Sequence, residues 1–267
     1  MATVNVTSWS EFLEAATVSG DTVNCPEYAE WDLAEIEPEG HNGSITINAN
    51  INGNGTKIKN LVIERGVSQY SSTFAVGTSA INDLHILNAN VVGGGNGLFS
   101  GDSITMNGCT VSALVHDTGD IFYFGNNRTL YRCAFNIELA NATSLRFIGS
   151  NANAQYCNAK FSGSRVTELI FTGANYPYGS IENSYFVFDT PAVQNITANN
   201  VSWSVIRCTG SNVLNLSGFM QQHFCLGVTT DFPNATSIGN GIILVSESQL
   251  RDAAYLQSIG FPIGVSD

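Results

Sequence analysis

The stretches IKNLVI (58–63), INDLHI (81–86), ITMNGCTV (104–111), LYRCAF (130–135), AQYCNA (154–159), IENSYF (181–186) and VIRCTG (205–210) decide the fold. Each sets an apolar residue, a polar one, Asn or a substitute, a small or apolar anchor and a further apolar residue in the same order. With anchors at Leu61, Leu84, Cys109, Cys133, Cys157, Ser184 and Cys208, the steps are 23, 25, 24, 24, 27 and 24 residues. A fixed period of this size marks stacked repeats. The segments alternate with period two and are rich in Val, Ile, Phe and Thr, which is strand rather than helix patterning. A leucine-rich repeat has a comparable length, but its LxxLxLxxN pattern is missing. A coil of 23–25 residues instead holds three short strands, each paired with its equivalent one coil later at about 4.8 Å.

The expected fold is therefore all-β, a single right-handed parallel β-helix of about seven to eight coils over residues 21–240. A solenoid leaves raw strand edges at both ends, and these need caps. Ser8-Trp9-Ser10-Glu11 reads as a capping box in an N-terminal cap over 1–20, with Trp9, Phe12, Leu13 and Ala16 on one face and Gly20 closing it. Ser246-Glu247-Ser248-Gln249 opens a C-terminal cap over 241–267, with Leu250, Ala254 and Ala253 turned inward. Cys109, Cys133, Cys157 and Cys208 fall on anchors, so a buried column of thiols is expected, reduced in a cytoplasm. Asn60, Asn82 or Asp83, Asn107 and Asn183 precede anchors and belong at bends, where Asn tolerates the left-handed conformation.

Only 12% of residues are charged, against 43% hydrophobic, so polarity comes from amides and hydroxyls. The net charge of −12 opposes nucleic acid and anionic membrane as partners, because both would repel this surface. Part of it is local, since Glu27, Glu30, Asp32, Glu35, Glu37 and Glu39 crowd one segment; a solvated loop is the plain reading and a cation or basic-partner site the sharp one. The N-terminal MATVNVTSWSEF has neither the basic nor the apolar region of a secretory signal, and no apolar run is long enough for a membrane helix. Synthesis in a bacterial cytoplasm is expected. Without CxxC pairs among the six cysteines, neither zinc nor any other cofactor is expected.

The repeat resembles the pectate-lyase-like superfamily of right-handed β-helices over about residues 20–240, through period and pattern alone. That resemblance implies acidic-polysaccharide cleavage in many members, which carry recognisable signatures. The NTD, DD, GHG and RIK motifs of polygalacturonase-like members are absent, as is an evident calcium-binding Asp cluster. Asp117 and Asp120, beside His116, are the candidate catalytic pair because hydrolases need two closely placed carboxylates; D-T-G-D is equally ordinary turn chemistry. A cross-coil pair such as Glu138 with Asp189 is the other option. The scattered His41, His85, His116 and His223 form no motif.

Aromatics point instead to binding. Tyr123, Tyr176, Tyr178 and Tyr185 are candidate binding residues in an exposed strip, the side-chain chemistry favoured for sugar stacking and protein interfaces. Alternation places Phe122 and Phe124 on one face and Tyr123 on the other. The segment SQLRDAAYLQSIGFPIG (248–264) is similar to terminal segments of β-helical proteins from phage-bearing gut bacteria. The expectation is a non-enzymatic bacteriophage virion protein, a capsid decoration or tail-spike module. Its expected partners are other virion proteins, itself as a homotrimer, and a host-surface glycan. A polysaccharide-degrading enzyme and a bacterial adhesin are the alternatives.

Overall fold

The computed structural model describes residues 1–63, 72–92, 97–101, 103–123, 127–147, 152–170, 180–197, 201–209, 212–217, 225–239 and 241–261. The chain is a parallel β-solenoid of about seven turns, with four short helices towards its ends. Each coil lays down three strands. On the middle coils the first face carries Ser103–Asn107, Asn127–Tyr131, Ala152–Gln155 and Ser180–Glu182. The second face carries Thr110–His116, Ala134–Leu139, Asn158–Ser162 and Tyr185–Asp189. The third runs from Ile45–Ile47 through Phe99–Ser100 to Ser144–Arg146, Asn195–Thr197 and Ser237–Ile238.

Alternation decides what is inside. In Thr110–His116, Val111, Ala113 and Val115 are buried while Thr110, Ser112, Leu114 and His116 face outward. The neighbouring rungs Ala134–Leu139, Asn158–Ser162 and Tyr185–Asp189 repeat this choice because in-register parallel pairing puts like on like. Phe74, Phe99 and Phe122 stack at 5.0 and 5.2 Å, and Phe161 stacks on Phe188 at 5.6 Å, so the third face and the core are held by aromatic columns. Such contacts add about 0.5–1.5 kcal/mol each beyond area burial.

The bend between first and second faces recurs on successive rungs. Asp83, Gly108, Arg132, Tyr156, Asn183 and Trp203 all have φ between 49 and 66°. The next residue is the anchor. Leu84, Cys109, Cys133, Cys157, Ser184 and Ser204 form the inner column, each 3% exposed or less. The ladder runs through the bend, since the Gly108 amide donates to the Tyr131 carbonyl and the Arg132 amide to that of Gln155.

Two repeats are therefore registered differently from what the sequence pattern predicts. Leu84 pairs with Thr56, so the partner of INDLHI is INGNGTKI (51–58); Val62 pairs with Asn90, which puts Leu61 at a second bend beside Ala89. Likewise Cys208 pairs with Phe188 and leaves the anchor to Ser204. In both cases two similar patterns lie within a few residues, and the bend geometry selects the other one. Asn60, Asp83 and Asn183 do take the left-handed conformation, whereas Asn82, within the strand Thr78–Val92, and Asn107, at the end of its strand, leave it to Asp83 and Gly108. Gly53 is required for space, because a Cβ there would sit 2.3 Å from the Asp83 carbonyl oxygen.

The stacked Sγ atoms donate to strand carbonyls, Cys109 to Ile81 at 3.3 Å and Cys133 to Met106 at 3.4 Å. All six cysteines are buried thiols outside any disulfide. Hydrogen bonding to Cys133, then burial, holds Cys109 and Cys157 above the ordinary thiol range, which leaves the middle thiol as the first of the three to ionise. Burial alone pushes Cys25 up to about 12.

Both ends are covered. Helix α1 (Trp9–Ala16) is capped by Ser8, whose side chain accepts from the Glu11 amide, and buries Trp9, Phe12, Ala15 and Ala16. Glu11 turns its carboxylate to the Thr7 amide and hydroxyl instead of closing the box, Leu13 is only half-buried, and Thr17 rather than Gly20 ends the helix. Helix α2 (Leu33–Ile36) follows, capped by Asp32. At the other end Ser246 and Gln249 form a complete capping box for α3 (Glu247–Leu250). Asp252 then caps α4 (Ala253–Ser258), where Leu256 is buried while Ala253 and Ala254 are exposed. A second cap resets the helical phase, which is why the inward residue is Leu256 and neither alanine.

Candidate functional site

Outward residues of the second face enclose a groove of about 470 Å3. It crosses five coils and is lined by Asn88 and Asn90, Ser112 and Leu114, Asn136 and Glu138, Lys160 and Ser162, and Asp189. The pairing places these residues in two columns. Leu114 pairs with Glu138, Glu138 with Ser162 and Ser162 with Asp189; Ser112 pairs with Asn136 and Asn136 with Lys160. Glu138 and Asp189 thus stand two rungs apart on one line, about 9.6 Å between backbones at about 4.8 Å per rung.

The side chains are held from the flanks. Thr209 Oγ1 donates to Asp189 Oδ1 at 2.7 Å, and His116 Nε2 lies 2.8 Å from Asn90 Oδ1. Lys160 makes no ion pair among the described residues, whereas Lys57, Lys59, Arg146, Arg207 and Arg251 all do. An unpaired ammonium among amides, hydroxyls and two carboxylates presents donors and acceptors of both charge signs to a polar ligand. Among the described residues no three His, Cys, Asp or Glu side chains converge as a metal site.

Of the other candidates named from the sequence, Asp117, Asp120 and Tyr185 do not line this groove. Asp117 is exposed at a left-handed bend, with φ of 63°. Asp120 pairs its backbone with Arg146 and lies 3.6 Å from that guanidinium; burial pushes its carboxyl up while Arg146 opposes the rise. The Asp120 amide donates to Thr118 Oγ1, a local turn contact. Tyr185 is half-buried against the cluster of Val205, Leu226, Leu256 and Phe261 that seats the C-terminal cap. Tyr176 and Tyr178 lie outside the described residues, as do the side chain of Tyr123 and all of Phe124. Phe122 is buried.

The aromatics that do form an outer cluster are Tyr131 and Tyr156, edge to face at 5.6 Å, with Arg132 lying 5.0 Å over the Tyr131 ring. The acidic segment near the N-terminus is partly neutralised by its own chain. Lys59 and Lys57 both donate to Glu30, which holds that carboxyl down at about 2, and Glu37 meets His41.

Sequence reasoning considers Glu138 with Asp189 but misses Asn136, Lys160 and Ser162. A signal was present. Five residues beyond Cys109, Cys133, Cys157 and Ser184 stand Leu114, Glu138, Ser162 and Asp189, so correct anchors align the column by counting alone. No helix among the described residues is long and apolar enough to cross a membrane. No protein-family model matches the chain, and no curated protein matches it.

Proposed function

We propose that the chain is a glycan-attachment module of the kind displayed on a phage particle, and that the groove of the second face holds the sugar. The observation that carries this reading is the repeated polar lining. From Ser112 to Asp189, four successive rungs each offer an amide, hydroxyl or charged group on at least one of the same two lines, and the rungs of Asn136–Glu138 and Lys160–Ser162 offer one on both. A linear polymer of hydroxyl-bearing units finds a matching partner at each step, and Leu114 supplies one apolar contact for a ring face. A site built from a few placed polar groups on a rigid frame is the usual form of a ligand pocket. The rigid β-solenoid and its similarity in pattern to pectate-lyase-like β-helices support the same substrate class.

The test is a binding screen of the purified protein against bacterial surface polysaccharides, neutral and acidic, with Lys160→Ala and Asn136→Ala alongside. Retention of at least one polymer, weakened about tenfold or more by either change, is expected; tenfold corresponds to about 1.4 kcal/mol. Failure to retain any polymer, or binding indifferent to both changes, would overturn the reading.

A second reading, hydrolysis, is favoured by the common column of Glu138 and Asp189. Their backbone spacing of about 9.6 Å is just beyond the wide end of the ~6.5–9.5 Å between carboxyls in inverting glycosidases. Both residues are exposed, whereas a carboxyl serving as general acid is ordinarily withdrawn from water, so attachment comes first. New reducing ends in the same screen, lost in Glu138→Gln or Asp189→Asn, would reverse that order.

A further inference from the structure

The first face has a different character. Its outward positions run in two columns, from Thr3 and Asn5 on the first rung to Ser180 and Glu182 on the eighth, with Ser202 beyond. Among the side chains described, Glu182 is the one charge on this face. In a chain of net charge −12, copies repel one another wherever acidic surfaces meet. A face with a single carboxylate is where they can approach.

The edge of that face fixes how. Asp83, Gly108 and Arg132 occupy consecutive rungs of the bend. Asp83 and Arg132 are exposed, and the space where a Gly108 side chain would stand is open. Arg132 makes no ion pair with any described carboxylate, and Asp83 meets His85 at 3.3 Å. Laid antiparallel about the Asn107–Gly108 rung, two copies bring Asp83 of each opposite Arg132 of the other. Gly108 admits the close approach at the axis. The same operation places Asn82 opposite Tyr131 and Asn24 opposite Glu182. Asn107 lies on the middle rung of the nine between Asn5 and Ser202, so the whole face overlaps.

We propose that the first face is a self-complementary interface between two antiparallel copies of this chain, with its two-fold axis at Asn107. Eight rung intervals of about 4.8 Å and three to five residues of about 3.3 Å make a face of roughly 400–650 Å2 on each copy. The total of roughly 800–1,300 Å2 reaches the small end of stable interfaces, about 1,200–2,000 Å2, only at its upper limit, so the dimer is weak and forms in a concentration-dependent way. The bend carries a second sign of selection. Arg132 and Tyr156 hold φ of 52 and 54°, a conformation that favours Gly, Asn and Asp, which occupy it on rungs nearby. Bulk at those two positions costs fold stability and adds nothing to the core, which is consistent with a contact outside the coil.

Sedimentation velocity over a wide micromolar range tests it. Wild-type protein is expected to move from monomer to dimer with concentration. Thr105→Arg, which sets like charges together beside the axis, should weaken the dimer at least about tenfold while leaving the melting temperature unchanged. Asp83→Arg and Arg132→Asp should each weaken association as well, the first with a lower and the second with a higher melting temperature because of the left-handed bend, and the double swap should restore association. Asn107→Cys should form a disulfide with itself across the axis under mild oxidant, where Ser112→Cys on the second face should not; the six native thiols are buried and silent. A wild-type monomer at every concentration would sink the proposal, as would a dimer that survives Thr105→Arg in folded protein or a double swap that fails to recover.

Discussion

On two successive coils the first face offers solvent Thr129 and Tyr131, then Asn153 and Gln155, whereas the second face of those coils offers Asn136 and Glu138, then Lys160 and Ser162. Between them lies one bend, and behind both lies one core. The inward residues of the two faces are interchangeable in kind, Leu130 and Ala154 on one and Phe135 and Phe161 on the other. The difference is confined to positions that packing does not constrain. A solenoid separates these tasks strictly, because pairing fixes every second residue and leaves the alternate ones to the surface. The neutral face is suited to meeting its own copy, and the mixed-charge face to a polar polymer.

The largest expected effect erases the comparison altogether. Cys133 sits at the bend under both faces with stacked neighbours on either side, and is 1% exposed. Cys133→Asp buries an unpaired charge at a cost of several kcal/mol. The protein should lose its cooperative melt, groove binding and self-association together; a folded, soluble variant would count heavily against the column. Next in size is an alkaline effect on the shared core. A thiol raised in the folded state contributes stability in full below its unfolded value, and that contribution is lost as pH rises through the folded one. For Cys25, between about 9 and about 12, this is up to about 4 kcal/mol at about 1.36 per unit. Melting temperature should fall across that window, and Cys25→Ala should flatten part of the fall. An identical slope in that variant would remove Cys25 as the cause.

Smaller changes separate the faces. Lys160→Ala should lower glycan retention about tenfold with sedimentation unchanged, and Thr105→Arg should do the reverse. Either variant moving both readouts would show that the faces are coupled. The smallest effect carries the opposite sign. Tyr156→Asn relieves a left-handed bulky residue and should raise stability by about 0.5–1 kcal/mol while weakening association. A loss of stability would mean that the Tyr131–Tyr156 contact at 5.6 Å matters more than the backbone does.

The period of 23–25 residues, the inward Val, Ile and Phe, the thiol column from Cys109 to Cys157 and the capping residues Ser8 and Ser246 were all legible in the chain, because they rest on local pattern and on like stacking upon like. The rung assignments of Leu61 and Cys208 were not. Two sequence patterns a few residues apart compete for one place, and only the left-handed residue at the bend and the pairing beyond it choose between them. The N-terminal acid Glu30 read as free charge, yet two lysines 27 and 29 residues later reach it from the next coil. Composition determined that this protein has few charges. Tertiary structure alone decided that they leave one face with a single described carboxylate and gather around Lys160 on another, since a side chain's neighbours across rungs are set by pairing between residues far apart in sequence.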